Sequence, residues 1–245
     1  MTAPVMLIAG GTGSIGSAIA RAASDDGWTV VIHGRDRGRC ESLAASLPGP
    51  AGAIAGVVGS TDDAARIVGG AIERVGRLDA VIDCVATGPE GGRITGLFPE
   101  TDPAVYGAFY DLSAAWFQRL AHAAYPHLAA RGGTMIGFIS DAGRFAAPRQ
   151  TVIGAARAAT IGFVRNLAVE AARDGIRVHC LSPSVVVGSA SADAMGSDRM
   201  AKAEARAGLG LPTPEDIAPL AVFLCGPGAV KITGQVISIN GGLQA

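Results

Sequence analysis

The chain has 245 residues and a net charge of −1, and 49% of its residues are hydrophobic. This length is enough for the core of one α/β domain or of two small ones. The almost neutral charge disfavours nucleic acid and anionic membranes as partners. No uninterrupted apolar run reaches the roughly 18 residues that span a bilayer, so we expect no membrane insertion.

Cysteine usage and the first apolar run indicate a compartment. The four cysteines are far apart, without a CxxC pair or a histidine cluster nearby. They predict reduced thiols rather than disulfides or a metal site. The first apolar run ends in glycines and does not have the pattern of a signal peptide. We therefore expect a cytoplasmic protein with no metal centre.

The first motif is a short apolar run followed by a glycine-rich turn. Residues 5–9 (VMLIA) suit one buried strand, and apolar residues at helical spacing predict a helix from about Ser14. A strand, a glycine turn and a helix begin a βαβ unit, which holds a pyrophosphate on backbone N–H groups at the helix N-terminus. The alternative is a tight turn without a ligand. The predicted phosphate-binding residues are Gly10, Thr12, Gly13, Ser14, Ile15 and Gly16.

The second predicted strand, residues 29–33, ends beside a cluster of charged residues. In a dinucleotide fold this strand tip meets the adenosine ribose. An acidic residue there favours NAD, whereas Arg35 offers a cation to a 2′-phosphate, so we expect NADP(H). Asp36 follows, is predicted with Arg35 to contact the cofactor, and can also cap the next helix. Arg37 and Arg39 either assist Arg35 or form a solvated face.

Strands and helices alternate along the rest of the chain. Further strands are predicted at residues 53–58, 78–85, 134–139, 176–181 and 236–239. Thr61 or Asp62 is predicted to cap a helix that runs to about residue 75. The other predicted helices are at 103–130, 154–173 and 214–224. A Gly/Pro-rich loop is predicted at 89–102, and the polar segment 188–211 has the composition of a lid. The alternation predicts an α/β fold. We expect a single Rossmann-type domain over residues 1–245, built on a doubly wound parallel sheet of about seven strands. The ligand is expected at the carboxyl ends of these strands.

Two further stretches carry a family resemblance that covers essentially the whole chain. They are residues 214–242 (PEDIAPLAVFLCGPGAVKITGQVISINGG) and residues 166–184 (NLAVEAARDGIRVHCLSPS). Together with the glycine turn, they resemble the short-chain dehydrogenase/reductase family in its branch of about 250 residues. The resemblance implies an oxidoreductase that binds a nicotinamide cofactor. It also implies a homotetramer or homodimer built on the two long helices and the C-terminal segment.

Several positions depart from the pattern of that family. Ser14 stands where the middle glycine of the turn is expected, and Asp83-Cys84-Val85-Ala86 replaces an Asn-Asn-Ala-Gly stretch. Asp111 aligns with the Asn that helps to hold a proton-relay water. Asp83 is a charged residue near the end of a buried strand, and it needs a partner or faces the cofactor cleft.

The catalytic motif is altered most. Ser140 aligns with the catalytic Ser of the family, but Ile153 and Arg157 align with its Tyr and Lys. Arg157 can still donate hydrogen bonds to ribose hydroxyls, although its pKa is too high for acid–base work. By the same resemblance, Pro183 and Val186 contact the cofactor, Val186 through its backbone.

Three functions fit this altered motif. The first is an NADP(H)-dependent ketoreductase for a small polyketide or phenolic carbonyl compound. Its proton comes from the substrate, from water, or from Asp111 or Asp141, since Ile153 cannot supply one. The second is a redox-neutral lyase, cyclase or isomerase on the same fold, and the third is a non-catalytic binding subunit. The Ala, Gly and Arg content suits a bacterium of high GC content. A polyketide or phenolic substrate suits secondary metabolism. The predicted catalytic residues are Ser140, Arg157, Asp111 and Asp141.

Overall fold

The computed structural model of the protein describes residues 3–86 and 92–244. Seven parallel strands form one sheet in the order β3-β2-β1-β4-β5-β6-β7. The predicted α/β class, the parallel sheet and the count of seven strands are therefore confirmed. The first part of the loop predicted at 89–102 lies outside the described residues. The strands are β1 (Val5–Ala9), β2 (Thr29–Gly34), β3 (Ala51–Ala55), β4 (Ala80–Asp83), β5 (Gly133–Phe138), β6 (Ile176–Ser182) and β7 (Val236–Ser238).

Helices cover both faces of the sheet, as near-continuous apolar strands require. One core cluster joins α3, α5 and α6 to the sheet, and a second joins α1, α2 and α9 to the opposite face. Because every strand runs the same way, all carboxyl ends meet at one edge. The helices are α1 (Ser14–Asp25), α2 (Arg37–Ser46), α3 (Thr61–Val75), α4 (Tyr106–Tyr110), α5 (Trp116–Ala129), α6 (Thr151–Ala171), α7 (Ala190–Asp193), α8 (Ser197–Arg206) and α9 (Pro214–Cys225).

The helix predicted over 103–130 is interrupted. A π-helical turn, Asp111–Ala115, separates α4 from α5. Such a turn adds a residue to the helical repeat and changes which side chains face the sheet. Periodicity could not reveal it, because both flanking segments keep the ordinary helical spacing.

Local capping sets two of the helix starts. Asp36 caps α2 as predicted, since its carboxylate accepts a hydrogen bond from the backbone N–H of Arg39. The cap of α3 is Ser60 rather than Thr61 or Asp62, the two residues predicted for it, and it forms a reciprocal capping box with Asp63.

The predicted lid segment, residues 188–211, contains two short helices. No residue of α8 is fully buried, and Leu209 is 91% exposed. The end of the segment is tied to the tail, because the N–H of Leu209 donates to the carbonyl of Gly241. A lid function for this segment stays a prediction.

Helix α6 is less buried than its apolar composition suggests. Residues Thr151–Asp174 are long and apolar enough to cross a membrane, yet only 33% of the most apolar window is buried. This stretch is not an uninterrupted apolar run in the sequence, because it contains Arg157 and Arg165. The inner side of α6 packs against β6 and the core. The core helix of a soluble protein can be equally long and apolar.

Candidate active site

The glycine turn after β1 packs directly on the end of β4. Gly10 has φ +71°, and a Cβ there would lie 2.6 Å from the carbonyl oxygen of Cys84. A Cβ on Gly16 would lie 2.6 Å from the carbonyl oxygen of Gly10. Both positions therefore require glycine. The turn packs where the strand order of the sheet reverses, between the neighbouring strands β1 and β4.

The start of α1 fits a phosphate group. Gly13 is the N-cap residue, and in the described part of the chain no side chain caps this end. The backbone N–H groups of Ser14, Ile15 and Gly16 have no acceptor within the helix. A Cβ on Gly13 would meet only the carbonyl oxygen of Gly10, at 3.3 Å. These open donors, together with the helix dipole, suit the pyrophosphate of a dinucleotide.

The tip of β2 brings cations close to this turn. Arg35 is exposed, and Arg39 donates from Nη2 to the carbonyl oxygen of Thr12 at 3.1 Å. A surface cavity of about 600 Å³ lies beside them between α1 and α2, lined in part by Thr12, Asp36 and Arg39. His33 is buried and donates from Nε2 to the carbonyl of Gly56 at 3.1 Å, so it packs between β2 and β3.

Ser140 follows β5 and is half-buried at the carboxyl edge. Its Oγ accepts a long hydrogen bond, 3.4 Å, from the N–H of Ala142. The turn after it lies against α6, because a Cβ on Gly143 would come within 2.6 Å of the Cβ of Arg157. A Cβ on Gly154 would likewise lie 2.6 Å from the carbonyl oxygen of Ala142. Two glycines thus fix Ser140 relative to the first turns of α6.

Arg157 points from α6 toward the ends of the central strands. Its Nη1 donates to the carbonyl oxygens of Ser113 and Phe138, both at 3.3 Å. Burial lowers the pKa of Arg157, and the charge of Asp83 opposes that shift. The guanidinium keeps its charge throughout the useful pH range.

Asp83 is the last residue of β4 and lies close to Arg157. Its Oδ1 accepts from the N–H of Val85 and from Nε1 of Trp116, both at 3.2 Å. Burial raises the pKa of Asp83 to about 6, although both hydrogen bonds and the charge of Arg157 pull it down. The sequence does not decide whether Asp83 has a partner or faces the cofactor cleft. A charged residue in an apolar strand is the feature that singles it out.

Ile153 stands one turn before Arg157 and is half-buried. It packs against a small apolar cluster that contains Ile94, Phe109 and Val152. Tyr106 touches the same cluster, but its hydroxyl is hydrogen bonded to Thr101. A cavity of about 430 Å³, lined mainly by apolar residues such as Phe145 and Pro148, lies between residues 142–150 and the start of α6.

Asp141 does not face the cleft as a proton donor would. It is 1% exposed, and its carboxylate accepts hydrogen bonds from Ser182 (2.6 Å), Ser238 (3.1 Å) and Asn240 (2.6 Å). These bonds tie together the ends of β5, β6 and β7. The structure therefore gives Asp141 a structural position rather than the predicted catalytic one.

Asp111 is also turned away from Arg157. Its carboxylate pairs with Arg119 at 2.6 Å and is 47% exposed. The backbone carbonyl that does reach Arg157 belongs to Ser113, two residues later in the π-helical turn. The carboxylate of Asp111 is thus engaged by Arg119, and its catalytic role stays a prediction.

The segment after β6 places the other predicted cofactor contacts at the same edge. Pro183 is buried, and Val186 is 3% exposed with its carbonyl accepting from the N–H of Ser189 at 3.1 Å. Ser184 has φ +63°, a left-handed conformation that is unusual for a residue with a side chain. This sharp turn redirects the chain across the ends of the strands toward the predicted lid.

A family model described as enoyl-(acyl carrier protein) reductase matches residues 9–244. The chain belongs to the short-chain dehydrogenase/reductase family. A human relative, dehydrogenase/reductase SDR family member 4, is 29% identical over 246 residues, covering 97% of this chain and 86% of the relative. The protein of the same name from Caenorhabditis elegans is 27% identical over 255 residues, covering 98% and 95%.

Solved structures share the fold. A 7α-hydroxysteroid dehydrogenase complexed with NADH and 7-oxo glycochenodeoxycholic acid has a TM-score of 0.89 at 23% identity, covering 98% of this chain and 93% of that one. A 3-ketoacyl-(acyl-carrier-protein) reductase from Brucella melitensis, complexed with NADH, has a TM-score of 0.86 at 24% identity, covering 99% and 98%. At these identities the likeness shows the fold, and family membership shows an oxidoreductase of the dehydrogenase/reductase type.

The position of Asp141 generates a prediction. Asp141→Ala removes the acceptor that Ser182, Ser238 and Asn240 share, and Ser182 and Asn240 are buried, so we expect the free energy of unfolding to fall by about 2–4 kcal/mol. Urea denaturation followed by far-UV circular dichroism measures it. The exposed Asp62→Ala is the control and should change stability by less than about 1 kcal/mol. Unchanged stability in Asp141→Ala would contradict the structural role.

Proposed function

We propose that the protein is an NADP(H)-dependent ketoreductase for a small carbonyl substrate of polyketide or phenolic type, in which no protein hydroxyl replaces the family's tyrosine. The observation that carries the proposal is the uncapped N-terminus of α1 beneath a glycine turn, with arginines at the neighbouring tip of β2. A subunit without a nucleotide would have little need for this arrangement.

Arg35 supports NADP(H) over NAD(H). It is exposed at the strand tip that meets the adenosine ribose in dinucleotide folds, and a guanidinium matches a phosphate by charge and geometry. Asp36 follows, but its carboxylate is engaged in capping α2. The phosphate, rather than the ribose hydroxyls, is therefore the group that this tip is suited to bind.

The cofactor, when bound, supplies a hydride to the carbonyl carbon of the substrate. Among residues 3–86 and 92–244 the Ser140 hydroxyl only accepts a hydrogen bond, so it can donate to the carbonyl oxygen, and Arg157 can donate to ribose hydroxyls. Arg157 cannot release a proton near neutral pH. Ile153, which we align with the catalytic tyrosine of the family, has no ionisable group.

The proton for the product hydroxyl then has to come from outside these side chains. Asp111 and Asp141 are engaged in other contacts. Of the remaining sources, we propose a phenol beside the reacting ketone, since a water would allow reduction of substrates with and without that hydroxyl alike. The apolar cavity of about 430 Å³, lined in part by Ala142 two residues after Ser140, is compatible with an aromatic substrate.

Ile153 also supports a second candidate, a redox-neutral reaction in which the bound nucleotide only orients the substrate. An apolar residue at that position suits any reaction that needs no proton from the protein. Transfer of a labelled hydride to the product separates the two candidates.

We also propose that two copies of the chain associate through α6. Its outer face presents Ala155, Ala158, Ala159 and Gly162, and Val169 is 79% exposed. An exposed apolar face of this length on a charge-poor helix favours burial against another chain. A second copy would bring the same face to an isologous contact.

The cofactor proposal predicts binding preferences. Isothermal titration calorimetry should give micromolar dissociation constants for NADPH and NADP+, and weaker binding of NADH. Arg35→Ala should weaken NADPH by about tenfold or more, because it removes a charged contact to the 2′-phosphate, and should leave NADH unchanged. The control is Arg131→Ala, which removes an exposed arginine at the opposite, amino edge of the sheet and should leave NADPH binding unchanged. If no nucleotide binds, the reductase proposal is wrong.

The proton source predicts substrate selectivity. An aryl ketone with an ortho-hydroxyl group should be reduced with transfer of deuterium from NADPH labelled on the nicotinamide C4, and its methyl ether should not. Ile153→Tyr should be no more active than Ile153→Phe, which has the same bulk without a hydroxyl. A gain of about 10²-fold in the tyrosine variant over the phenylalanine variant would instead show that the enzyme lacks a proton donor.

The α6 interface predicts a change of oligomeric state. A Cβ at Gly162 meets nothing within 4 Å, so Gly162→Arg is tolerated within one chain. We expect it to convert an oligomer to a monomer in analytical ultracentrifugation, because it places a large charged group in the contact. Gly69→Arg, also on a helix with open space at its Cβ, should leave the oligomer intact. A wild-type monomer would contradict the proposal.

A further inference from the structure

The buried carboxylate of Asp141 joins three strand ends at the carboxyl edge of the sheet. It accepts hydrogen bonds from the side chains of Ser182 (2.6 Å) at the end of β6 and Ser238 (3.1 Å) at the end of β7. A third bond, 2.6 Å long, comes from Asn240 in the tail. Asp141, Ser182 and Asn240 are each at most 5% exposed. The cluster therefore fixes the relative positions of the segments that meet there.

The bond between Asp141 and Ser182 lies just beyond the backbone pairing of β5 and β6. Among residues 3–86 and 92–244 that pairing extends to Ile139, whose N–H donates to the carbonyl oxygen of Leu181 at 2.9 Å. Asp141 comes two residues after Ile139, and Ser182 comes directly after Leu181. The two side chains thus continue the contact between these segments after the strands themselves have ended.

Each of the two segments borders the candidate active site. Ser140 directly precedes Asp141, and its hydroxyl is the donor that we assign to the substrate carbonyl. Ser182 directly precedes Pro183, and the left-handed turn at Ser184, with φ +63°, then carries the chain across the strand ends. The bond from Ser182 to Asp141 therefore sets the place of this turn relative to Ser140.

The nicotinamide half of a nucleotide would lie over this region. A doubly wound sheet binds a dinucleotide across its switch point, with one half on each side. The start of α1 suits the pyrophosphate, and Arg35 at the tip of β2 suits the adenosine 2′-phosphate. The other half then extends across the ends of β4, β5 and β6, toward Ser140 and the turn after Ser182.

We propose that Asp141 is a positioning residue for the nicotinamide half of the bound nucleotide: its carboxylate holds the turn after Ser182 in place relative to Ser140. This inference rests on the proposed function, since it concerns the same nucleotide. It goes beyond the stabilising role of Asp141, because the binding of one half of the ligand, and not of the other, depends on that carboxylate. Hydrogen bonds behind a site fix the groups that touch the ligand, and hydride transfer tolerates little displacement.

A second link extends the cluster to the wall of the apolar cavity. Arg144 donates from Nη1 to Oγ of Ser238, and its guanidinium lies 5.1 Å from the centre of the Phe145 ring. Phe145 and Ala142 both line the cavity of about 430 Å³. The turn that begins at Asp141 thus connects the nucleotide side of the site to the cavity that is compatible with an aromatic substrate.

Two ligands that share the adenosine 2′-phosphate test the proposal by isothermal titration calorimetry on the full chain. NADPH carries the nicotinamide half, and adenosine 2′,5′-bisphosphate lacks it. We expect Asp141→Ala to weaken NADPH by about tenfold, because the turn after Ser182 loses its anchor. The bisphosphate should stay within about twofold of its wild-type affinity. A loss of folding would instead lower the bound fraction of both ligands alike.

Two milder variants keep the test valid if Asp141→Ala does not fold. Ser182→Ala removes one hydroxyl and should weaken NADPH by about threefold. In Asp141→Asn the amide can donate to Ser182 while its oxygen accepts from Asn240, so NADPH should bind within about twofold of the wild type. The control is Ser24→Ala, which removes another buried hydroxyl, the acceptor for the N–H of Gly49 near the C-terminal end of α1. It should leave both ligands unchanged.

The outcomes separate this inference from the proposed function. If the wild type binds NADPH, equal weakening of both ligands in Asp141→Ala and Ser182→Ala, or no weakening in either variant, would overturn the role of Asp141 and leave the proposed function standing. So would an Asp141→Asn variant that binds NADPH as weakly as Asp141→Ala. Failure of the wild type to bind NADPH would overturn both. Circular dichroism verifies that each variant is folded.

Discussion

The close approach of the glycine turn to the end of β4 is the constraint on which the rest of the site depends. Gly10 adopts φ +71° with no room for a side chain beside Cys84. At this point β1 and β4 are neighbours although their connections leave on opposite faces of the sheet. The crevice that results is where open parallel sheets bind ligands. The start of α1, Ser140 and Asp83 all border it because their strands end at the same edge.

That edge carries one buried charge, Asp141, and two half-buried ones, Asp83 and Arg157, and each is accommodated differently. Asp141 accepts three side-chain hydrogen bonds and serves to join strand ends. Arg157 donates to carbonyl oxygens, and Asp83 combines two neutral donors with the field of Arg157. Burying a charge costs several kcal/mol unless it is well paired. Asp141 is well satisfied, whereas Asp83 keeps a raised pKa, which marks it as the group whose state can change.

The fold was predictable from the sequence, and the orientation of the acids was not. Periodicity and glycine placement predict β1, α1 and the parallel sheet, because these depend on local spacing. Asp36 was correctly predicted as a cap for the same reason. Asp111 was predicted from alignment and Asp141 as a proton source beside Ser140, but Arg119 pairs with the first, and partners from β6, β7 and the tail enclose the second. Such contacts join residues tens of positions apart, and no local pattern records them.

Under the proposed function, the first turns of α6 separate two tasks. Arg157 can hold a nucleotide but cannot exchange a proton, and Ile153 can do neither. Hydride transfer needs only a nicotinamide and a carbonyl in the right geometry. The product, however, is completed only when a proton reaches the oxygen. A site of this kind selects its substrate by chemistry as well as by shape, because a ketone with its own acidic hydroxyl is reduced while a similar ketone without one binds and remains unreduced.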